Sequence, residues 1–313
     1  MTQQEENHVV ATASGAQYEI SSGTQHAVVV EVGGGIREYT SGGRHVLDPY
    51  PPDSMADGAH GAPLVPWPNR IDGGRYRFED AVYQLALTEP EKNNAIHGLL
   101  MWRPWVVAEH TSAAVTMATR IHPMQGYPFC LRVTVRYELS ADGLVVTTTA
   151  TNVGDSTAPY GCGQHPYLSP GEGLIDDARL ELDAATRILT DPERQLPTGT
   201  EPVDGTPFDF RRGTRIGDLE IDYPFTDLAR DDRGRAWVRL TGADGATAEL
   251  WVDDSHPIVE LFTGDTLAPG RRRRGLGTEP MTCPPNAFHS GDQLTHLRPG
   301  DTATTRWGAR LTS

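Results

Sequence analysis

Residues 131–139 read LRVTVRYEL, with an apolar side chain at every odd position and a polar one between. On a helix, where each residue turns by about 100°, this pattern would scatter apolar groups around the whole circumference; on a strand it puts them all on one face. A strand with one buried face needs a partner. Asp142-Gly143 offers a turn, and LVVTTTAT, residues 144–151, offers a β-branched return. The same grammar recurs in AWVRLTG and TAELWVD (236–253, about the turn Ala243-Asp244-Gly245), RLEL (179–182), IVELF (258–262) and TTRWGARL (304–311). Near the start, HAVVVEV (26–32) runs through Gly33-Gly34-Gly35 into IREYT.

No window longer than about ten residues carries a convincing i, i+3, i+4, i+7 stripe. The 33 glycines and 24 prolines are spread along the chain, which makes them turn residues rather than a disordered tract. Short strands between frequent turns predict an all-β chain, an antiparallel sandwich or barrel. With no internal repeat or low-complexity linker, residues 1–313 read as a single domain.

A formal charge of −15 repels nucleic-acid phosphate and anionic lipid, so neither nucleic acid nor a membrane is an expected partner. No stretch has the roughly 18 consecutive apolar residues of a membrane span. The opening MTQQEENHVV lacks the basic and apolar regions of an export signal. Cys130, Cys162 and Cys283 are odd in number and widely spaced, as expected of free thiols. The expected location is cytoplasmic. The one basic run, Arg271 to Arg274, reads as a solvated loop tip.

Pro-rich, polar connections break the strands, and in a sandwich such connections commonly carry the site. In GAPLVPWPNRIDGGRYRF (61–78) two prolines stiffen the backbone around Trp67 and lead to Asn69 and Arg70: an aromatic plane for sugar C–H faces, then an amide and a guanidinium for hydroxyls. NNAIHGLLMWRPW (93–105) holds His97. APYGCGQHPYLSPG (158–171) places His165 after Gly161 and Gly163, which permit unusual backbone angles, and before the stiffening Pro166. DLEIDYPFTDL (218–228) carries Asp222. In GLGTEP, Pro280 holds Glu279 extended, and apolar neighbours would raise its carboxyl toward useful base strength. Each segment alone reads equally well as an ordinary loop.

Taken together, PWPNRI…GRY.F, NAIHGL…W, G.G.HPYL, D.PF and the late EP, in this order over about residues 61–308, resemble the aldose 1-epimerase (galactose mutarotase) family. The resemblance implies a large antiparallel β-sandwich, the galactose mutarotase-like supersandwich, with a carbohydrate cleft on one face and no metal or organic cofactor. It implies Glu279 as base and His165 as acid, with Asn69, Arg70, His97, Tyr167 and Asp222 binding a small-molecule sugar. The stretch Gln164-His165-Pro166-Tyr167-Leu168 departs from the classical galactose enzymes and leaves the preferred sugar unassigned.

The implied chemistry moves protons: one leaves the C1 hydroxyl for Glu279 and one reaches the ring oxygen from His165, kept cationic by nearby acids. A glycoside hydrolase would instead need two carboxylates across the scissile bond. Two readings stay open beside the mutarotase: a hexose-6-phosphate 1-epimerase, for which Arg271 to Arg274 would supply cations, and a non-catalytic carbohydrate-binding protein. Monomer and homodimer are equally open.

Overall fold

Strands Leu131–Ser140 and Gly143–Asn152 form the expected hairpin, in register from Leu131 opposite Asn152 to Ser140 opposite Gly143. Val133, Val135 and Tyr137 are buried on one face, as the alternation requires. The loop is Ala141-Asp142, one residue earlier than the sequence suggested. Gly143 follows it at φ 111°, where a Cβ would lie 2.5 Å from the Ala309 carbonyl oxygen. This is a computed structural model, and it describes residues 12–312; the MTQQEENHVV stretch lies outside the described residues.

The hairpin sits within a nine-stranded sheet ordered Val106–His110, Ala114–Ile121, Leu131–Ser140, Gly143–Asn152, Thr302–Thr312, Thr247–Val252, Ala236–Thr241, Arg179–Leu182, Thr214–Arg215. A larger sheet of twelve strands runs Gln17–Ser22, Gln25–Val30, Ile36–Ser41, Arg44–Leu47, Tyr167–Leu168, Leu276–Met281, Ile258–Phe262, Asp222–Leu228, Ala184–Thr190, Pro197–Pro202, with Pro63–Leu64 and Gly163–Gln164 alongside. Both sheets are antiparallel throughout, so the galactose mutarotase-like sandwich is the observed fold class. Among the described residues the single α-helix is the one-turn Ala287–Ser290, and no helix is long and apolar enough to cross a membrane.

The core lies between the sheets, where Val29, Tyr39, Val259, Leu261 and Leu276 of the larger sheet share one cluster with Val133, Val135, Val146, Leu250 and Trp307 of the other. A polar tie crosses it. Gln164 donates from Nε2 to the Tyr137 hydroxyl (2.9 Å) and the Gly61 carbonyl (3.1 Å) and accepts from Trp307 Nε1 (3.1 Å). Every contact of this buried amide is therefore satisfied, and it fixes the chain one residue before His165.

The strand Leu276–Met281 is buried at all six positions, unlike a strand with one wet face. Leu276 faces the core, while Met281 packs with Ile258 and Ile188 in a separate cluster on the opposite side. On that opposite side lies the cleft.

Candidate active site

A cleft of about 470 Å³ opens over the middle of the larger sheet. Its walls include Asn69, Arg70, His97, His165, Asp222 and Glu279, so six of the seven residues expected at the site converge there. They come from separate connections and strands of the chain. At the floor, Nε2 of His165 lies 3.1 Å from Oε1 of Glu279, with the two side chains 5% and 3% exposed.

Local backbone features aim these groups. Asn69 and His97 both take left-handed conformations, at φ 51° and 59°, and the His97 amide donates to the Asn69 carbonyl at 3.0 Å. Gly98 follows at φ 75°, pressed so close to Val65 that a Cβ would fall 2.1 Å from its carbonyl oxygen. The His165 segment is locked by its own amide donating to the Ala62 carbonyl (3.1 Å) and its carbonyl accepting from the Gly61 amide (2.8 Å). Gly161 and Gly163 are not left-handed, contrary to the sequence expectation. They supply room instead, since a Cβ on Gly161 would lie 2.5 Å from Cys283 Sγ and one on Gly163 2.9 Å from the Pro280 carbonyl oxygen.

Polar contacts tie the cleft wall together. Arg70 makes a bidentate pair with Glu89 (2.8 and 2.9 Å), Glu89 reaches Lys92 at 3.3 Å, Lys92 donates to Gln195, and Gln195 donates to Asp222. Asn69 donates to Glu260 at 2.6 Å.

Glu260 was not anticipated. Its strand, IVELF, reads as a generic core strand, but it pairs with Leu276–Met281 so that Glu260 stands opposite Glu279 and Phe262 opposite Gly277. A charged residue at the centre of an otherwise apolar strand was the available signal. Trp102, 46% exposed, and Phe262 also line the cleft unforeseen.

Two expectations are corrected. Trp67 does not face the cleft; it is buried and meets Phe288 edge-on at 5.5 Å. Tyr167 is not among the lining residues either: its ring stacks on His165 (5.0 Å, 15°) and its hydroxyl donates to the Gly58 carbonyl at 2.7 Å.

Burial sets the protonation of the floor. It pushes the Glu279 carboxyl well above the usual carboxylate range, with the Asp222 charge adding to the effect. Glu260 moves the same way through burial, Glu279 and Asp222. Burial and the neighbouring His97, His60 and Arg70 push His165 well down, and burial with Arg70 brings His97 down to about 3. The expectation of an imidazolium held charged by acids is therefore reversed in the resting site.

Donor atoms of His97, His165 and Glu279 lie within 4.8 Å of one another, a two-histidine, one-carboxylate set of the composition zinc accepts. Metal-ligating imidazoles ordinarily give their other ring nitrogen to an orienting acceptor. Here Nδ1 of both His97 and His165 has no protein partner, so the trio lacks the orienting acceptors that zinc-bound imidazoles ordinarily have.

The arginine run is largely spoken for. Arg271 contacts Asp48 (3.1 Å) and the Pro49 carbonyl (2.9 Å); Arg273 contacts Asp176 (2.6 Å) and Asp265 (2.8 Å). None of the four lines the cleft.

A two-sheet antiparallel sandwich with an imidazole–carboxyl pair under a polar cleft defines a galactose mutarotase-like protein. The chain belongs to the aldose 1-epimerase family, whose sequence profile matches residues 16–308. It is 37% identical over 288 residues to the uncharacterized protein YihR of Escherichia coli K12, covering 92% of this chain and 90% of that one. Over 219 residues it is 32% identical to the galactose mutarotase of Rattus norvegicus, covering 64% of this chain and 60% of that one. Among solved structures, the GalM/aldose epimerase homologue from C. elegans superimposes with a TM-score of 0.83 at 20% identity, over 95% and 98% of the two chains. Galactose 1-epimerase from Lactobacillus acidophilus gives 0.79 at 20% identity, over 93% and 92%.

Proposed function

We propose that the protein is a mutarotase, an aldose 1-epimerase that interconverts the α and β anomers of a free hexose with Glu279 as base and His165 as acid. The buried 3.1 Å contact between these two side chains at the cleft floor carries the reading.

Anomerisation requires a proton to leave the C1 hydroxyl while another reaches the ring oxygen; the C1–O5 bond breaks, the aldehyde turns about C1–C2, and closure on the other face reverses both transfers. The directions of the two shifts leave one proton on the pair, resting on Glu279 with His165 neutral. Transfer of that proton to Nε2 gives a carboxylate and an imidazolium without exchange with solvent. Sugar hydroxyls donating to Glu279 favour this tautomer; the nearby Arg70 charge favours its carboxylate and opposes its imidazolium. Each group then contributes on the order of 10²–10⁴-fold, the usual size for a positioned acid or base. Asn69, Arg70, His97 and Asp222 are assigned to the sugar hydroxyls, with Glu260 added to them.

None of the four arginines lines the cleft, and Arg271 and Arg273 are ion-paired elsewhere, so the run gives no reason for preferring a phosphorylated sugar. The test is polarimetry of freshly dissolved α-D-glucose and α-D-galactose with the wild type, Glu279→Gln and His165→Asn. Accelerated relaxation that each substitution abolishes, with circular dichroism unchanged, is the expected result. Activity surviving Glu279→Gln would mean another base; sugar binding without acceleration would make this a carbohydrate-binding protein.

A further inference from the structure

His165 meets Glu279 through Nε2, but its Nδ1 has no protein partner. A catalytic imidazole is ordinarily oriented by a hydrogen bond to its second nitrogen. Here the plane of the ring must be set by packing.

What packs on it is a ring assembly. Tyr167, two residues on, stacks on His165 at 5.0 Å and 15° and on His60 at 3.6 Å and 3°. Tyr167 is itself held at several points: its hydroxyl donates to the Gly58 carbonyl at 2.7 Å, and its strand pairs with Gly277 opposite it. A Cβ on Gly275 would lie 3.0 Å from the Cβ of Tyr167, so the neighbouring backbone passes close to the base of this side chain. His60 is pinned through both nitrogens, Nδ1 at 2.7 Å from the Asp57 carbonyl and Nε2 at 3.1 Å from Asp48. Arg271, the first residue of the basic run, closes the assembly 3.1 Å from Asp48 and 3.2 Å from His60 Nε2. His165, Tyr167, His60 and Asp48 are all buried.

We propose that Tyr167 is a positioning residue for His165, and that His60, braced by Asp48 and Arg271, fixes Tyr167 in turn. The stack replaces the missing second hydrogen bond: it keeps Nε2 in line with Glu279 and with the oxygen it must protonate. The basic run thereby gains a role through its first member, outside the cleft. The proposal rests on the mutarotase reading for its kinetic consequence, though not for its structural one.

The experiment compares Tyr167→Leu, Tyr167→Phe and His60→Leu by polarimetric kcat and KM and by NMR of ¹⁵N-histidine-labelled protein without sugar. Misplacement of a catalytic group by about 1 Å can cost about 100-fold. Tyr167→Leu is therefore expected to lower kcat by up to about 100-fold with KM little changed, and to shift or broaden the His165 ring signals. Tyr167→Phe keeps the stack and should restore most of the turnover with wild-type ring signals. His60→Leu should lower kcat in the same direction, and it carries the test if Tyr167→Leu fails to fold. Wild-type kcat and unmoved His165 signals in the leucine variants would overturn the proposal, as would a phenylalanine variant as impaired as leucine. If the wild type turns over no sugar, the functional reading fails separately, and the ring signals still decide the positioning role.

Discussion

Glu260 and Glu279 stand directly opposite one another on adjacent strands, both buried, two carboxyl groups in one cross-strand pair. Like charges so placed repel, and burial adds a desolvation cost, so the structure favours the protonated forms. Both are pushed above the usual carboxylate range.

For Glu260 this gives a stability prediction. A carboxyl raised on folding contributes its full stability below its unfolded value, about 4.3, and loses it as pH rises through the folded value. Glu260→Gln removes that loss and keeps an amide oxygen for the Asn69 donor. The variant should melt near the wild type at pH 4.5 and above it at pH 8. An advantage that failed to grow with pH would show that Glu260 is ionised at little cost.

On the proposed mechanism, the His165–Glu279 pair is expected to set the pH profile of turnover. With His165 pushed down and Glu279 pushed up, the one-proton pair spans the interval between them. Measured kcat/KM should form a broad plateau that crosses pH 6.5, the ordinary histidine value, without inflection; it should fall on the alkaline side as the proton leaves Glu279 and on the acid side only well below pH 6.5, as His165 takes up a second proton. A rate that titrates near pH 6.5 would return His165 to an ordinary solvated imidazole. Asp222→Asn removes a charge that holds Glu279 up, so in that variant the alkaline fall should begin at lower pH.

The sheet order was not legible in the sequence, but several of the strands were. Alternation located 131–139, 179–182 and 258–262 because each has one face toward the core and period 2 is all that face requires. Glu260 escaped notice for the complementary reason: its strand is buried on both sides, one by core and one by the cleft, and the second side has no sequence period of its own. Trp67 and Tyr167 were misplaced because an aromatic ring beside a motif is chemically suited both to a sugar face and to packing: Trp67 packs on Phe288, and Tyr167, on the cleft side of the sheet opposite Gly277, is sandwiched between His165 and His60. Residues that meet through sequence-distant pairing, such as His165 and Glu279, could be brought together beforehand only by the family resemblance.

His97 offers a second stability test of opposite sign. Its folded value of about 3 lies below the unfolded 6.5, so its contribution is complete above pH 6.5 and is lost as pH falls toward 3. The limiting slope for one such group is about 1.4 kcal/mol per pH unit. His97→Gln should unfold with a smaller loss of stability between pH 7 and pH 4.5 than the wild type, measured by urea titration at each pH. Equal losses in the two proteins would mean that His97 protonates in the folded state without penalty.

Gln164 links fold and site most directly, because one amide joins the two sheets and adjoins His165. Gln164→Leu removes three hydrogen bonds and leaves the Tyr137 hydroxyl and Trp307 Nε1 facing an apolar side chain in the core. Tyr137 still donates to the Gly34 carbonyl at 2.8 Å, whereas Trp307 Nε1 loses its acceptor. An unsatisfied buried donor costs about 1–3 kcal/mol, which denaturant unfolding should register. Gln164→Glu at low pH restores an acceptor for Trp307 and a donor for either Tyr137 or Gly61, so it should recover part of that stability. Recovery that disappears as pH rises would identify the hydrogen-bonded tie, rather than the volume of the side chain, as what holds the His165 segment between the sheets.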